Sequence, residues 1–282
     1  MTAIALTRPG HARVSVVVPA MNEAQNIPHV FAGFPDGLHE VILVDGNSAD
    51  DTVAVARRER PDVVVVKQTR KGKGNALACG FAVATGDIVV MIDADGSTQP
   101  QEIPRFVEAL LAGADMAKGS RFCSGGGSED ITWMRSAGNA GLNTIANLLH
   151  QMSFSDLCYG YMAFWADAVI ALDLPHVLEP LPEDGTMLWG DGFEIETLIA
   201  VRAAKAGMRI AEVPSLEKLR VHGRSNLNAF TDGRRVLRTL LAEKRRSKLS
   251  TTSRVVADQR LEDMSELCAT CSVPEPVCYC AA

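Results

Sequence analysis

The first hundred residues repeat one pattern: a short run of consecutive apolar residues, a polar cluster, then a stretch with helical spacing. The apolar runs are Val14-Ser-Val-Val-Val-Pro19, Val41-Ile-Leu-Val44, Val63-Val-Val-Val66 and Ile88-Val-Val-Met-Ile92. Hydrophobicity that is unbroken rather than alternating predicts strands covered on both faces, as inside a parallel sheet. Between them, Asn26-Ile27-Pro28 offers a cap and a first-turn proline, Asp50 and Asp51 precede a helix from Thr52 to about Arg58, and Ala76 to Ala84 is alanine-rich. Strands alternating with helices at this spacing predict an α/β fold, a doubly wound, mostly parallel sheet flanked by helices with right-handed crossovers.

Later periodicity predicts a long helix over 128–152, with Trp133, Met134, Ile145, Leu148 and Leu149 three to four apart. A helix from Glu196 to Ala206 ends at Gly207, a strand from Met208 to Val213 ends at Pro214, and a basic helix runs from Asp232 to Lys248. Residues 13–248 therefore read as one domain, with 1–12 as an N-terminal extension and 249–282 as a flexible tail. That tail holds Cys268, Cys271, Cys278 and Cys280, while Cys79, Cys123 and Cys158 are scattered through the body. The tail's C-x2-C-x6-C-x-C spacing has thiols enough for zinc, but its second loop is too short for paired knuckles.

A net charge of −6 argues against an electrostatic nucleic-acid binder. No segment approaches the roughly 20 apolar residues of a membrane span, and Met1 to Arg8 has no basic start, so a cytoplasmic protein is expected, with peripheral membrane contact left open.

Each early strand ends in a polar cluster: Asn22 and Glu23, Asp45, Lys73, then Asp93 and Asp95. In an open α/β sheet these ends share the edge where ligands bind. Asp93 and Asp95 repel unless a cation lies between them, which fits Mg²⁺ or Mn²⁺ completed by phosphate and water; Asp95-Gly96 is also a common turn pair. Lys71 and Lys73 read either as a solvated pair or, with their flanking glycines, as a phosphate contact at a helix start. Gly-x-Gly-x-x-Gly and the P-loop pattern are both missing after the first strand.

Pro19-Ala-Met-Asn22-Glu23, Asp45-Gly-Asn-Ser-Ala-Asp-Asp-Thr52, Arg70-Lys-Gly-Lys-Gly-Asn75 and Asp93-Ala-Asp-Gly-Ser97 resemble, in order and spacing, the nucleotide-sugar half of family 2 glycosyltransferases. Lys118-Gly-Ser-Arg121, Ser155-Asp-Leu-Cys-Tyr-Gly160, Gly192-Phe-Glu-Ile-Glu196 and His222-Gly-Arg-Ser-Asn226 extend the similarity toward the polyprenyl-phosphate (dolichol-phosphate mannosyltransferase-like) branch. The resemblance implies a GT-A fold, with 13–121 as nucleotide-sugar half and 122–248 as acceptor half. It implies a metal-dependent inverting glycosyltransferase using a UDP- or GDP-linked sugar. By resemblance, Pro19, Ala20, Asn22, Glu23, Asp45, Lys73, Gly74, Asp93, Ala94 and Arg121 line the donor pocket, and Asp93, Asp95 and Ser97 hold the metal. His222, Arg224, Ser225 and Asn226 form a mobile loop.

Where the branch carries an arginine for the acceptor phosphate, this chain has Met162, which favours a hydroxyl acceptor and so a general base. Asp191, Glu194 and Asp156 are the base candidates. On the acceptor side the 128–152 helix either packs on the sheet or forms a lip toward a hydrophobic acceptor or membrane. A sugar nucleotidyltransferase and an inactive nucleotide-sugar binder are the alternative readings.

Overall fold

The computed structural model describes residues 11–184, 186–223, 229–246 and 277–278. In chain order the elements are β1 (Val14–Ala20), α1 (Ile27–Ala32), β2 (Glu40–Asp45), α2 (Thr52–Glu59), β3 (Val64–Lys67), α3 (Lys73–Val83) and β4 (Ile88–Met91). There follow α4 (Ile103–Leu111), β5 (Met116–Ser120), β6 (Gly127–Ser128), α5 (Trp133–His150), β7 (Met162–Trp165), α6 (Ile195–Lys205), β8 (Ile210–Pro214), β9 (Leu216–Glu217) and α7 (Ala229–Arg245).

Seven strands form one sheet in the order β3-β2-β1-β4-β7-β5-β8. The first four are parallel neighbours, as the unbroken apolar runs require. β7 runs antiparallel to both β4 and β5, and β8 is parallel to β5. The sheet is thus mostly parallel with one reversed strand, which short-range pattern does not reveal: Met162 to Trp165 are buried on both faces like their parallel neighbours.

Side-chain alternation along the strands divides the core. Val16 and Val18 of β1 face α1, α2 and α4, where Ile27, Val30, Ala56 and Phe106 lie, and Phe106 stacks on Tyr161 at 4.2 Å between centroids. Val17, Ile42, Val44, Met91 and Met162 face α3 and α6 through Leu77, Cys79, Leu198 and Ile199. A smaller cluster of Ala146, Phe154, Leu157, Val201, Val236 and Leu240 joins α5, α6 and α7.

Several expectations need correction. The long helix begins at Trp133, where Thr132 caps it by accepting from the Arg135 N–H, and it packs mainly against α6 and α7 rather than on the sheet. α3 starts at Lys73, not Ala76. Asn26 makes no cap; its amide bonds Glu23 and the backbone of His222. In the predicted tail, Val277 and Cys278 are buried and Cys278 bridges to Val66 on β3, while Cys268, Cys271 and Cys280 lie outside the described residues.

Gly80 sets how closely α3 approaches the sheet, since a β-carbon there would lie 2.3 Å from Val17 Cγ1 and 3.0 Å from Val44 Cγ2. Neither valine can retreat without disturbing the core. Gly80→Ala is expected to destabilise the fold by about 1–3 kcal/mol through overpacking, read as a lower urea midpoint with an unchanged m-value.

Candidate active site

The carboxyl ends of β1, β2 and β4 open into a cavity of about 1140 Å³. Pro19, Ala20, Glu23, Gly46, Gln68, Lys71 and Lys73 line one wall, Asp93, Ala94, Asp95 and Ser97 the floor. The opposite wall comes from Arg121, Tyr159, Gly160 and Glu196, from Met134 to Leu142 on α5 and from Gly233 to Leu237 on α7.

β4 ends one residue before the two acids, so Asp93 and Asp95 sit where its backbone leaves the sheet. Each meets a cation. Lys73 Nζ lies 2.6 Å from Asp93 Oδ1 and 2.6 Å from Glu196 Oε1. Burial disfavours the ammonium, but the two carboxylates more than offset this and hold Lys73 charged well above the ordinary lysine range. Arg220 donates from Nη2 to Asp95 Oδ2 at 2.9 Å and from Nη1 to Glu23 Oε1 at 3.0 Å. Asp95 Oδ1 accepts from the Ser97 N–H at 2.9 Å and its hydroxyl at 2.7 Å, so Ser97 orients this carboxylate.

The segment carrying Arg220 lies across the acids. The Lys218 N–H donates to Ser97 O at 2.8 Å, the Val221 N–H to Asp95 O at 3.3 Å, and the His222 N–H to Asn26 Oδ1 at 2.9 Å. Of the expected mobile loop, His222 is placed here; Arg224, Ser225 and Asn226 lie outside the described residues.

At the far end, Asp45 is buried and accepts from the Ser48 N–H at 3.2 Å. Asn22, with a positive φ of 59°, accepts from the Ala49 N–H at 2.7 Å through Oδ1 and donates its own backbone N–H to Ser48 Oγ at 2.9 Å. Both therefore shape the loop after β2 beside Gly46.

The glycines around Lys73 serve a purpose other than an open anion cradle. A β-carbon on Gly74 would lie 1.8 Å from Gly190 O, and the Gly74 N–H donates to Asp191 O at 2.7 Å. They admit the 190–191 backbone against α3. Lys71 is exposed and faces the cavity, whereas Lys73 is largely buried, so the two do not form a solvated pair.

The three base candidates do not gather at one point. Asp191 is 1% exposed and forked by Arg70, with Nε at 2.7 Å and Nη2 at 2.9 Å. Asp156 is wholly buried and forked by Arg121 at 2.7 and 3.0 Å, with the Asn139 amide at 3.1 Å. Glu194 is buried and accepts from the N–H groups of Gly190 at 2.9 Å and Gly192 at 3.3 Å. Arg121, expected in the donor pocket, lines the cavity with its guanidinium also bound to Glu217 at 3.0 Å. Met162 is fully buried in the core and does not line the cavity.

Sequence reasoning missed Arg70 as the partner of Asp191, Arg220 as the partner of Asp95, and Glu196 as the partner of Lys73. Nothing local signals the first, because its partner lies 121 positions away.

The glycosyl transferase family 2 model matches residues 15–172. The chain belongs to glycosyltransferase family 2. An uncharacterized glycosyltransferase of Mycobacterium tuberculosis is 32% identical over 220 residues, covering 78% of this chain and 92% of its own. The undecaprenyl-phosphate mannosyltransferase of Micrococcus luteus is 31% identical over 234 residues, covering 80% and 91%. Among solved structures, glucosyl-3-phosphoglycerate synthase from Mycobacterium tuberculosis, in complex with Mn²⁺, UDP and phosphoglyceric acid, is 25% identical with a TM-score of 0.63, covering 84% of this chain and 80% of that one. The family 2 domain here is accordingly a GT-A fold, as the motifs imply.

Among the described residues no group of three or more His, Cys, Asp or Glu side chains is placed to hold a metal. Two acids that each already draw a cation nevertheless fit Mg²⁺ or Mn²⁺ bound jointly with substrate phosphate and water rather than in an all-protein cage.

The buried forks lead to two expected outcomes. Arg70→Met strands the Asp191 carboxylate in the core and costs about 3–5 kcal/mol in chemical denaturation; adding Asp191→Asn recovers part of the loss. For Asp156, burial raises the carboxyl pKa, but the hydrogen bonds and charge of Arg121 outweigh it and hold it below the usual aspartate range. A folded-state pKa below the unfolded one gives stability that is present above the unfolded pKa and lost as pH falls through the folded one. The urea midpoint should therefore drop on acidification, and Asp156→Asn, less stable at neutral pH, should flatten that acid limb.

Proposed function

We propose that this family 2 enzyme moves a sugar, with inversion, from a nucleoside-diphosphate sugar to an acceptor that presents a phosphate. The observation that carries the reading is the opposed character of the two halves of the cavity. On the donor side, Asp93 and Asp95 lie at the floor and attract cations. On the acceptor side, the carboxylates that would serve as bases are committed to arginines or backbone N–H groups.

In this reading Asp45, Gly46 and Gln68 frame the base, Asn22 and Glu23 support that end, and Lys71 meets the diphosphate. Lys73 holds Asp93 in place and carries positive charge beside the leaving group. Asp95, with Asp93, would hold Mg²⁺ or Mn²⁺, and the ion supplies charge neutralisation for the departing diphosphate. Arg220 already pairs with Asp95, so an ion held there would compete with that pairing and would leave the guanidinium available to phosphate.

An acceptor phosphate oxygen attacks the anomeric carbon as the bond to the diphosphate oxygen breaks. No proton is removed, so no base is needed. Asp156, Asp191 and Glu194 then act as positioning groups. The cavity's acceptor side joins cations at Arg135, Arg234 and Arg235 to apolar Ile131, Met134 and Leu142, which suits a phosphate on a hydrophobic carrier. The name of one relative, an undecaprenyl-phosphate mannosyltransferase, supports this.

Calorimetry with UDP and GDP should show diphosphate binding that tightens with Mn²⁺ and loses that increment in Asp95→Ala; binding of neither nucleotide would defeat the reading. With donor saturating, Glu194→Gln should slow turnover only a fewfold. A loss of the roughly 10²–10⁴ expected for removing general-base help would instead establish a hydroxyl acceptor.

A further inference from the structure

α5 carries one charged side chain, Arg135, and that is paired with Asp130 at 3.0 Å on the cavity side. Its buried line, Asn139, Asn143 and Ala146, faces the body of the protein. The opposite face consists of Trp133, Met134, Ala137, Gly138, Ala140, Gly141, Thr144, Ile145 and Leu148, every one exposed. Trp133 is 83% and Leu148 78% exposed, and Gly138 and Gly141 have nothing within 4 Å of where a β-carbon would stand. Four turns of solvent-facing helix without a charge are unlike an ordinary soluble surface, where such a face is polar.

α7 lies alongside with its termini matched to those of α5. The Lys244 ammonium donates to Leu149 O at 2.8 Å, His150 Nε2 meets Leu240 O at 3.0 Å, and Met134 to Leu142 of α5 and Gly233 to Leu237 of α7 contribute to the lining of the same cavity. The outer side of α7 exposes Arg234, Arg238, Leu241 and Arg245 at helical spacing, with Lys244 beside them. Glu243, the acid among them, is turned inward to Arg202.

We propose that α5 and α7 together form a docking face for an anionic lipid bilayer, with α5 entering the headgroup boundary and the α7 cations meeting lipid phosphates. An apolar face with tryptophan beside a basic stripe is the pattern of helices that lie in a membrane interface. A second copy of the chain suits this face less well: a two-fold contact presents the same patch from both sides, and no acid among its described side chains complements the arginines. The inference stands apart from the proposed reaction, since Trp133, Leu148, Arg238, Leu241 and Arg245 do not line the cavity, although Met134, Gly138 and Arg234 of the same helices do. Its consequence for that reaction is geometric, because the α5 and α7 segments that line the cavity would lie beside the membrane surface.

The test is co-sedimentation of the full chain with vesicles of phosphatidylcholine alone and with added phosphatidylglycerol. Binding is expected only to the anionic vesicles, weakening by about fivefold for each basic residue removed, as in Arg238→Gln or Arg245→Gln, and falling as salt rises. Trp133→Glu with Leu148→Glu, both on solvent-facing positions, should abolish binding while leaving nucleotide affinity unchanged. No sedimentation with anionic vesicles would overturn the proposal. So would unchanged binding by the double variant, or a dimer in light scattering that the same double variant dissociates.

Discussion

Two carboxylates at the end of one central strand repel each other, and positive charge placed beside each offsets that repulsion; the architecture around the cavity supplies it. Asp93 and Asp95 emerge from β4 in mid-sheet. Lys73 reaches Asp93 from the first turn of α3 and is held on its other side by Glu196 of α6. Arg220 reaches Asp95 from the segment after β9 and is anchored on Glu23 after β1. Five parts of the chain, from residue 23 to residue 220, thus meet through one charge requirement. Each ion pair is partly or largely removed from water, where pairing matters more than on the surface.

A second set of pairs holds the later half of the domain against the first. Arg70 forks Asp191 and also donates to the carbonyls of His176, Val177 and Glu179, so one buried guanidinium organises a long irregular stretch that has no ladder of its own. Arg121 does the same between Asp156 and Glu217. Such pairs add little net stability over well-packed apolar groups, but breaking one leaves an uncompensated charge, so they specify a single arrangement of the walls. The glycines at 72 and 74 belong to this device, for they let the 190–191 backbone press against the start of α3.

The N-terminal half was legible because its information is local. An unbroken apolar run followed by a polar cluster fixes a buried strand and where it ends, and the four early strands stand within a residue or two of their expected bounds. The reversed strand β7 was not legible, since burial on both faces gives the same run in either direction. Asp191 and Asp156 show the limit for the site. Placed by motif on the acceptor side, they read as bases until Arg70 and Arg121 are seen, and no spacing rule connects residues 121 or 35 positions apart. Met162 fails for a related reason: the alternation that turns it into the core depends on the register with Met91 and Lys118.

Whole-chain charge is a poor guide to any one face. The sequence carries a net charge of −6, which argues against an electrostatic nucleic-acid binder and says nothing finer. Locally, Lys71, Lys73, Arg121, Arg135, Arg220 and Arg234 all line one cavity. Most of them are balanced by a carboxylate in the folded state, so the cavity is neither strongly positive nor empty of cations. A ligand bringing phosphates can exchange for these internal partners one at a time, with the protein losing an ion pair for each one it gains. That exchange keeps the free site from being an open basic patch that would bind any anion, and it makes selection depend on where the phosphates fall relative to Asp93, Asp95 and their two cations.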